Sequence, residues 1–213
     1  MKLVCFHGLG QNQKSWEKVI AKSNLQDCSA YPDLYELIRD KPSDCRNLYE
    51  SLWEYCDQLD DDLILCGLSL GAVLALNCSI DHPEKIKGLV LIAPQFRMPK
   101  ALLKFQNAVF RLMPTSSFHS SGMDKKEMIR LCSSMAELDF TESLNCISCP
   151  VLVLCGSQDK ANQKAAEKLS EILMNASYQK IENSGHEVNL DQPESLSAAL
   201  GKFWEKIRIE DKG

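Results

Sequence analysis

Short apolar-rich runs alternate along this chain with longer stretches in which apolar residues recur every three to four positions. The short runs fall at residues 3–6, 28–31, 63–66, 89–93, 151–155 and 178–181. Runs of this length predict strands, and strands separated by helical stretches predict an α/β fold with a mostly parallel sheet covered by helices on both faces. Six strands make a complete sheet for 213 residues, and a chain of this length fits one domain with one core.

The intervening stretches carry the helical period. Leu48, Leu52, Cys56 and Leu59 follow Ser43, a residue able to cap a helix; Ala165, Leu169, Ile172 and Leu173 repeat the pattern. Leu196, Ala199, Leu200, Phe203 and Ile207 predict a last helix, with Asp191 as its cap. Residues 94–147 break the alternation. This stretch opens with Pro94, is divided by Pro114 and Gly122, and carries two amphipathic patterns: Leu102, Phe105, Val109 and Leu112, then Met128, Leu131, Cys132 and Met135. It predicts a small helical lid inserted into a single domain spanning 1–213.

Charge and composition narrow the partners. Twenty-nine acids against 24 bases leave a formal charge of −5, spread without a basic block, which excludes a nucleic-acid-tracking surface. Only four consecutive apolar residues, 3–6, precede His7, short of a secretory core, and no stretch approaches the roughly 20 residues of a membrane span. A cytoplasmic location is expected. Several of the ten cysteines (Cys5, Cys66 and Cys155) lie within strand runs, where reduced thiols act as small hydrophobes. Cys146 and Cys149 form a C-x-x-C with no second pair to complete a metal set, so no metal is expected.

The chemistry concentrates at Gly67-Leu68-Ser69-Leu70-Gly71, which follows the strand run at 63–66 and opens a helical one. A G-x-S-x-G string in strand–turn–helix context holds its serine on a tight elbow, the glycines keeping side chains out of the close approach. A serine nucleophile needs a base, and four histidines are available. His186 lies in the turn-rich Asn183-Ser184-Gly185-His186, just past the last strand run and on the elbow's edge of the sheet. His82 sits in a surface turn, His119 in the lid, and His7 at the end of the first strand, with a structural or oxyanion-loop role. Asp159, directly after the run at 151–155, is placed to orient His186; Asp191 competes, but the chain order Ser, Asp, His favours Asp159. Backbone N–H groups of Leu9 and Leu70 are the expected oxyanion donors. Met98 and Arg97, at the start of the lid, are candidate substrate contacts, Arg97 for a carboxylate.

The chain resembles the α/β-hydrolase superfamily over nearly its whole length. His7-Gly8-Leu9-Gly10 with Trp16 is similar to the family's oxyanion loop, Tyr31-Pro32-Asp33-Leu34 to the segment after its next strand, and residues 82–91 to the turn and strand before its cap. Residues 149–159 and Gly185-His186 are similar to its acid and histidine region. The resemblance implies the fold, the triad roles and a lid over the pocket. The chain begins at what resembles the family's third strand, implying a smaller sheet without the first two, and it lacks the glycine-rich turn that often follows the Asp33-Leu34 position. The expected activity is cleavage of small to medium carboxylic esters or thioesters, with a small-molecule acyl substrate and no cofactor. Lyases and carbon–carbon hydrolases use the same triad, and a receptor-like scaffold is a further alternative.

Overall fold

In the first strand, β1 (Lys2–Phe6), Val4 and Phe6 face one side while Leu3 and Cys5 face the other, and all four are buried. Alternation with both sides buried is what a strand inside a sheet covered on two faces requires. The computed structural model describes residues 1–115, 118 and 122–210, without the side chains of 101, 102, 105 and 106.

β1 is joined by β2 (Ser29–Ala30), β3 (Leu63–Leu68), β4 (Ile86–Ile92), β5 (Val151–Gly156) and β6 (Ala176–Ile181) in one six-stranded sheet. The order is β2-β1-β3-β4-β5-β6 and every pairing is parallel. The chain runs outward from β1 to β2 and then resumes on the opposite side of β1 with β3. That reversal makes a crevice at the carboxyl ends of β1 and β3, where open α/β sheets place ligands.

Two groups of helices cover the faces. Against Leu3, Cys5, Ile64, Val90 and Leu154 pack α1 (Glu17–Ala21), α7 (Val188–Asp191) and α8 (Pro193–Glu210). Against Val4, Phe6, Leu65, Leu91 and Val153 pack α2 (Cys45–Asp57), α3 (Leu70–Asp81) and α6 (Lys160–Ile172). Each leucine or isoleucine removed from water in this way contributes about 1.5–3 kcal/mol before entropy is counted. Between β4 and β5 lie α4 (Lys100–Leu112) and α5 (Lys125–Ser134), and no described residue of 94–147 joins the main sheet. Arg97 and Asp139 form an isolated antiparallel bridge at the base of this helical segment. No helix among the described residues is long and apolar enough to cross a membrane.

Local departures from the sequence expectation have identifiable causes. The cap of α2 is Asp44 rather than Ser43: Asp44 is extended (φ −133°, ψ 165°) and its carboxylate accepts from the Asn47 N–H at 3.0 Å. Asp191 does not cap the last helix. It ends α7, and its carboxylate accepts from the Gly185 N–H at 2.7 Å and the Ser184 hydroxyl at 3.3 Å, while α8 starts on Pro193, whose missing N–H costs a first turn nothing. In α6 the buried face runs Asn162, Ala166, Leu169, Leu173, so Ile172 is exposed and Ala165 is only half-buried. In α4, Leu112 is 87% exposed rather than inward, and Val109 is partly exposed; the side chains of Leu102 and Phe105 lie outside the described set. Met128, Leu131, Cys132 and Met135 are buried as their spacing predicts.

Candidate active site

β3 ends at Leu68 and α3 begins at Leu70, so the chain must turn from strand to helix in one residue. That residue is Ser69, at φ 53° and ψ −108°, a region non-glycine residues rarely occupy and one that costs about 1–3 kcal/mol. Its N–H donates to Ile92 O at 2.9 Å and its carbonyl accepts from the Val73 N–H at 3.0 Å, which pins the turn on both sides. A Cβ at Gly67 would lie 2.1 Å from Gly71 O, and one at Gly71 would lie 2.2 Å from Phe6 O. Both contacts are with backbone, so both glycines of the string are obligatory, and the serine side chain stands half-exposed above the sheet.

The candidate acid and base meet across the ends of β5 and β6. A Cβ at Gly156 would lie 2.0 Å from Gly185 O, so the last residue of β5 touches the histidine loop backbone to backbone. The Ser157 N–H donates to Ile181 O at 2.8 Å and the Gln158 N–H to Ser184 O at 2.9 Å, stitching the two loops together. His186 Nδ1 lies 2.8 Å from Asp159 Oδ2. A carboxylate only accepts, so in the neutral imidazole Nδ1 carries the proton and Nε2 is left unprotonated. Burial acts to raise the Asp159 carboxyl, but hydrogen bonds from His186 and Asn162 and the positive charge available on the imidazole outweigh it and hold the group below the usual carboxylate range.

The loop after β1 forms the opposite wall. Buried His7 donates from Nδ1 to Gly8 O at 3.0 Å and accepts at Nε2 from the Leu34 N–H at 3.0 Å, which gives it a structural role. Gln11 Oε1 accepts from the Gly8 N–H at 3.2 Å, while its Nε2 donates to Glu187 at 2.9 Å and Asn189 at 3.2 Å. One glutamine thus ties the Gly8–Leu9 turn to the segment that carries His186. Leu70 opens α3, and the first N–H groups of a helix have no partner within it.

Ser69, Asp159 and His186 line one cavity of about 440 Å³ together with Leu9, Leu70 and Met98. Among the described residues no hydrogen bond joins Ser69 to His186, and such bonds are often long before substrate binds. Arg97 falls outside this lining; it is 75% exposed and pairs with Asp139 at 3.2 Å. His82 stacks on Trp53 with ring centroids 3.5 Å apart, remote in role from the cavity, and His119 lies outside the described residues. A larger cavity of about 590 Å³ between α2, α3 and α5 shares Val73 with the first, but no serine–histidine pair lines it.

Two residues escaped the sequence reading. Asn162 donates from Nδ2 to both oxygens of Asp159 at 2.9 Å, and Gln95 Nε2 donates to Asn162 Oδ1 at 2.8 Å. A polar residue on the otherwise apolar Ala166–Leu169 face, three positions after the acid, was the available signal.

The sequence profile described as the Alpha/beta hydrolase family matches residues 3–199. Among curated proteins, the chain is 24% identical to the biotin biosynthesis bifunctional protein BioHC of Cellvibrio japonicus, over 96% of this chain and 48% of that protein. It is 31% identical to a pimeloyl-[acyl-carrier protein] methyl ester esterase of Pseudoalteromonas atlantica, over 44% of this chain and 38% of that one. The alignments thus span about half or less of these relatives. Among solved structures, an esterase from Exiguobacterium antarcticum superposes with a TM-score of 0.79 at 18% identity, covering 96% of this chain and 92% of that one. A thermophilic esterase from Thermogutta terrifontis gives 0.78 at 19% identity, covering 97% and 90%. With the profile running through almost every element described above, the chain belongs to the Alpha/beta hydrolase family.

Proposed function

We propose that this protein is a serine hydrolase that cleaves small to medium carboxylic esters or thioesters through an acyl-enzyme. The observation that carries the reading is the 2.8 Å His186–Asp159 pair opening into the same cavity as a serine held on a strained elbow. Ser69 Oγ attacks the acyl carbonyl as His186 Nε2 takes its proton, and Asp159 stabilises the imidazolium that forms. The tetrahedral oxyanion is received by the Leu9 and Leu70 N–H groups. Collapse of the intermediate breaks the bond to the alcohol or thiol, which leaves with the proton from His186. Water activated by the same Nε2 then attacks the acyl-serine, releasing the acid and restoring Ser69.

The relatives named as esterases, including one whose name specifies a methyl ester, support an acyl substrate, and the apolar walls at Leu103, Val109 and Met135 suit an acyl chain. In this reading α4 and α5 act as the lid, and Met98 contacts the acyl group. No cofactor takes part in these steps.

A nitrophenyl acetate is the direct test. The parent protein should hydrolyse it, and Ser69→Ala should lose about four to six orders of magnitude in kcat. Unchanged turnover in that variant removes the nucleophile from the mechanism. His186→Ala should lose activity on a similar scale; full turnover in that variant counts against His186 as the base.

A further inference from the structure

Asp159 is 7% exposed, yet His186 satisfies only one of its carboxylate oxygens. The remaining capacity is taken by Asn162, whose Nδ2 lies 2.9 Å from each oxygen and 3.2 Å from His186 Nδ1. The amide orientation follows from chemistry. Turned the other way, the Asn162 oxygen would face two carboxylate oxygens with no proton between them. With Nδ2 toward Asp159, Oδ1 requires a donor, and Gln95 Nε2 supplies it at 2.8 Å. The approach to His186 Nδ1 is a packing contact, since Nδ1 already donates its proton to Asp159. Asn162 is buried at 8% exposure, in the first turn of α6, and Gln95 comes from the other side of the cavity, just past β4.

We propose that Asn162, itself held by Gln95, is a positioning residue whose amide fixes the Asp159 carboxylate in the orientation that receives the His186 Nδ1 proton. This rests on the triad reading but goes beyond it, because Asn162 need not touch the substrate. Two donors from one amide leave the carboxylate a single direction in which to accept from the imidazole. The base is thereby held in the tautomer that keeps Nε2 free toward Ser69. The other groups facing Asp159 are few: His186 from the loop after β6, and the Cys155 thiol, whose Sγ lies 3.9 Å from the Asp159 carbonyl oxygen. Lys180 and Glu167 act on Cys155 from farther out.

The test uses Asn162→Ala, Asn162→Asp and Gln95→Leu in the full chain. Asn162→Ala should lower kcat for nitrophenyl acetate by about ten- to a hundredfold, the size expected for a lost hydrogen bond to a charged group, with KM within about twofold. Asn162→Asp keeps the shape but turns a carboxylate toward the imidazole. Placed 2.9 Å from the Asp159 oxygens, that carboxyl must share a proton with Asp159, so the imidazole loses its fixed acceptor and kcat should fall at least as far as in Asn162→Ala. Gln95→Leu should act in the same direction as Asn162→Ala and multiply with it less than independently. NMR reads the same point without turnover: the His186 Nδ1 proton signal, identified by its loss in His186→Ala, should broaden or vanish in Asn162→Ala. A purely structural role would lower the yield of folded protein and leave the kcat of the folded fraction and the Nδ1 signal in place, and that result overturns the proposal. Absence of esterase activity in the parent, or full activity in Ser69→Ala, would instead overturn the proposed function, and the NMR comparison would still decide on Asn162.

Discussion

At Gly156 one methyl group would press directly on the loop that carries His186. The Cβ of an alanine there would lie 2.0 Å from Gly185 O and 2.5 Å from Ser184 O, and backbone atoms cannot swing aside as a side-chain tip can. Gly156→Ala should therefore push the histidine loop off β5, costing about 1–3 kcal/mol in urea unfolding and most of the activity. Gly201 in α8 is the control: a methyl group added there would meet no described atom within 4 Å, so Gly201→Ala should be neutral or stabilise by up to about 1 kcal/mol. Equal effects from the two would sink the close-contact explanation. Asp159 makes a second prediction, in pH. Its carboxyl is depressed in the folded chain, so it contributes stability above the unfolded value of about 4, and that contribution is lost as pH falls from there through the lower folded value. Urea unfolding of the parent should weaken more steeply than that of Asp159→Asn over this acidic window, with parallel curves above it. Residues of this kind differ in how readable they are. Ser69 and its flanking glycines are legible because backbone contacts dictate the spacing, and the order of Ser69, Asp159 and His186 is legible because each follows a strand end. Asn162 is legible only as a polar residue on an apolar helix face, because its partners depend on the rotation of α6.

At the scale of elements, α5 begins with a reciprocal cap. Asp124 accepts from the Glu127 N–H at 2.8 Å, and Glu127 accepts from the Asp124 N–H at 2.8 Å. Asp124→Ala should destabilise the chain by about 1 kcal/mol, and the loss should appear first as faster amide exchange in residues 125–128. Uniform exchange across α5 and the sheet would mean the cap does not hold this helix separately. The legibility of elements follows their burial. β1, β3, β4 and β5 are buried on both faces and show in the sequence as plain apolar runs. The edge strands do not: β2 pairs over only two residues, and β6 begins at Ala176, ahead of its apolar run, because one side of it meets solvent. Helix faces shift for a similar reason. In α6, Ile172 lies at the helix end near the sheet edge, where the core no longer reaches it, and Leu173 takes the buried position. The α2 cap moved one residue because Asp44 takes the extended conformation, while the Ser43 hydroxyl reaches Glu127 at 3.4 Å.

For the molecule as a whole, the switch between β1 and β3 brings Ser69 and the loop after β1 to one cavity, and residues of the helical segment after β4 line the same space. The size of that space should set the acyl chain that fits. Val73, one turn past the elbow in α3, lines both the 440 Å³ cavity holding Ser69 and the adjoining 590 Å³ cavity. Among the described residues it is the one side chain that lines both. Val73→Ala should breach the partition and let a longer acyl chain run past the elbow into the second space. Its kcat/KM for nitrophenyl octanoate relative to acetate should rise at least several-fold over the parent, while the acetate value falls only slightly. Narrowing the first cavity with Met98→Trp should do the reverse, because the Met98 N–H is held by Leu138 O at 3.0 Å and the backbone cannot retreat from the larger ring. If both variants keep the parent's chain-length profile, the acyl group does not lie along this wall, and the cavity beside Ser69 binds its substrate from another direction.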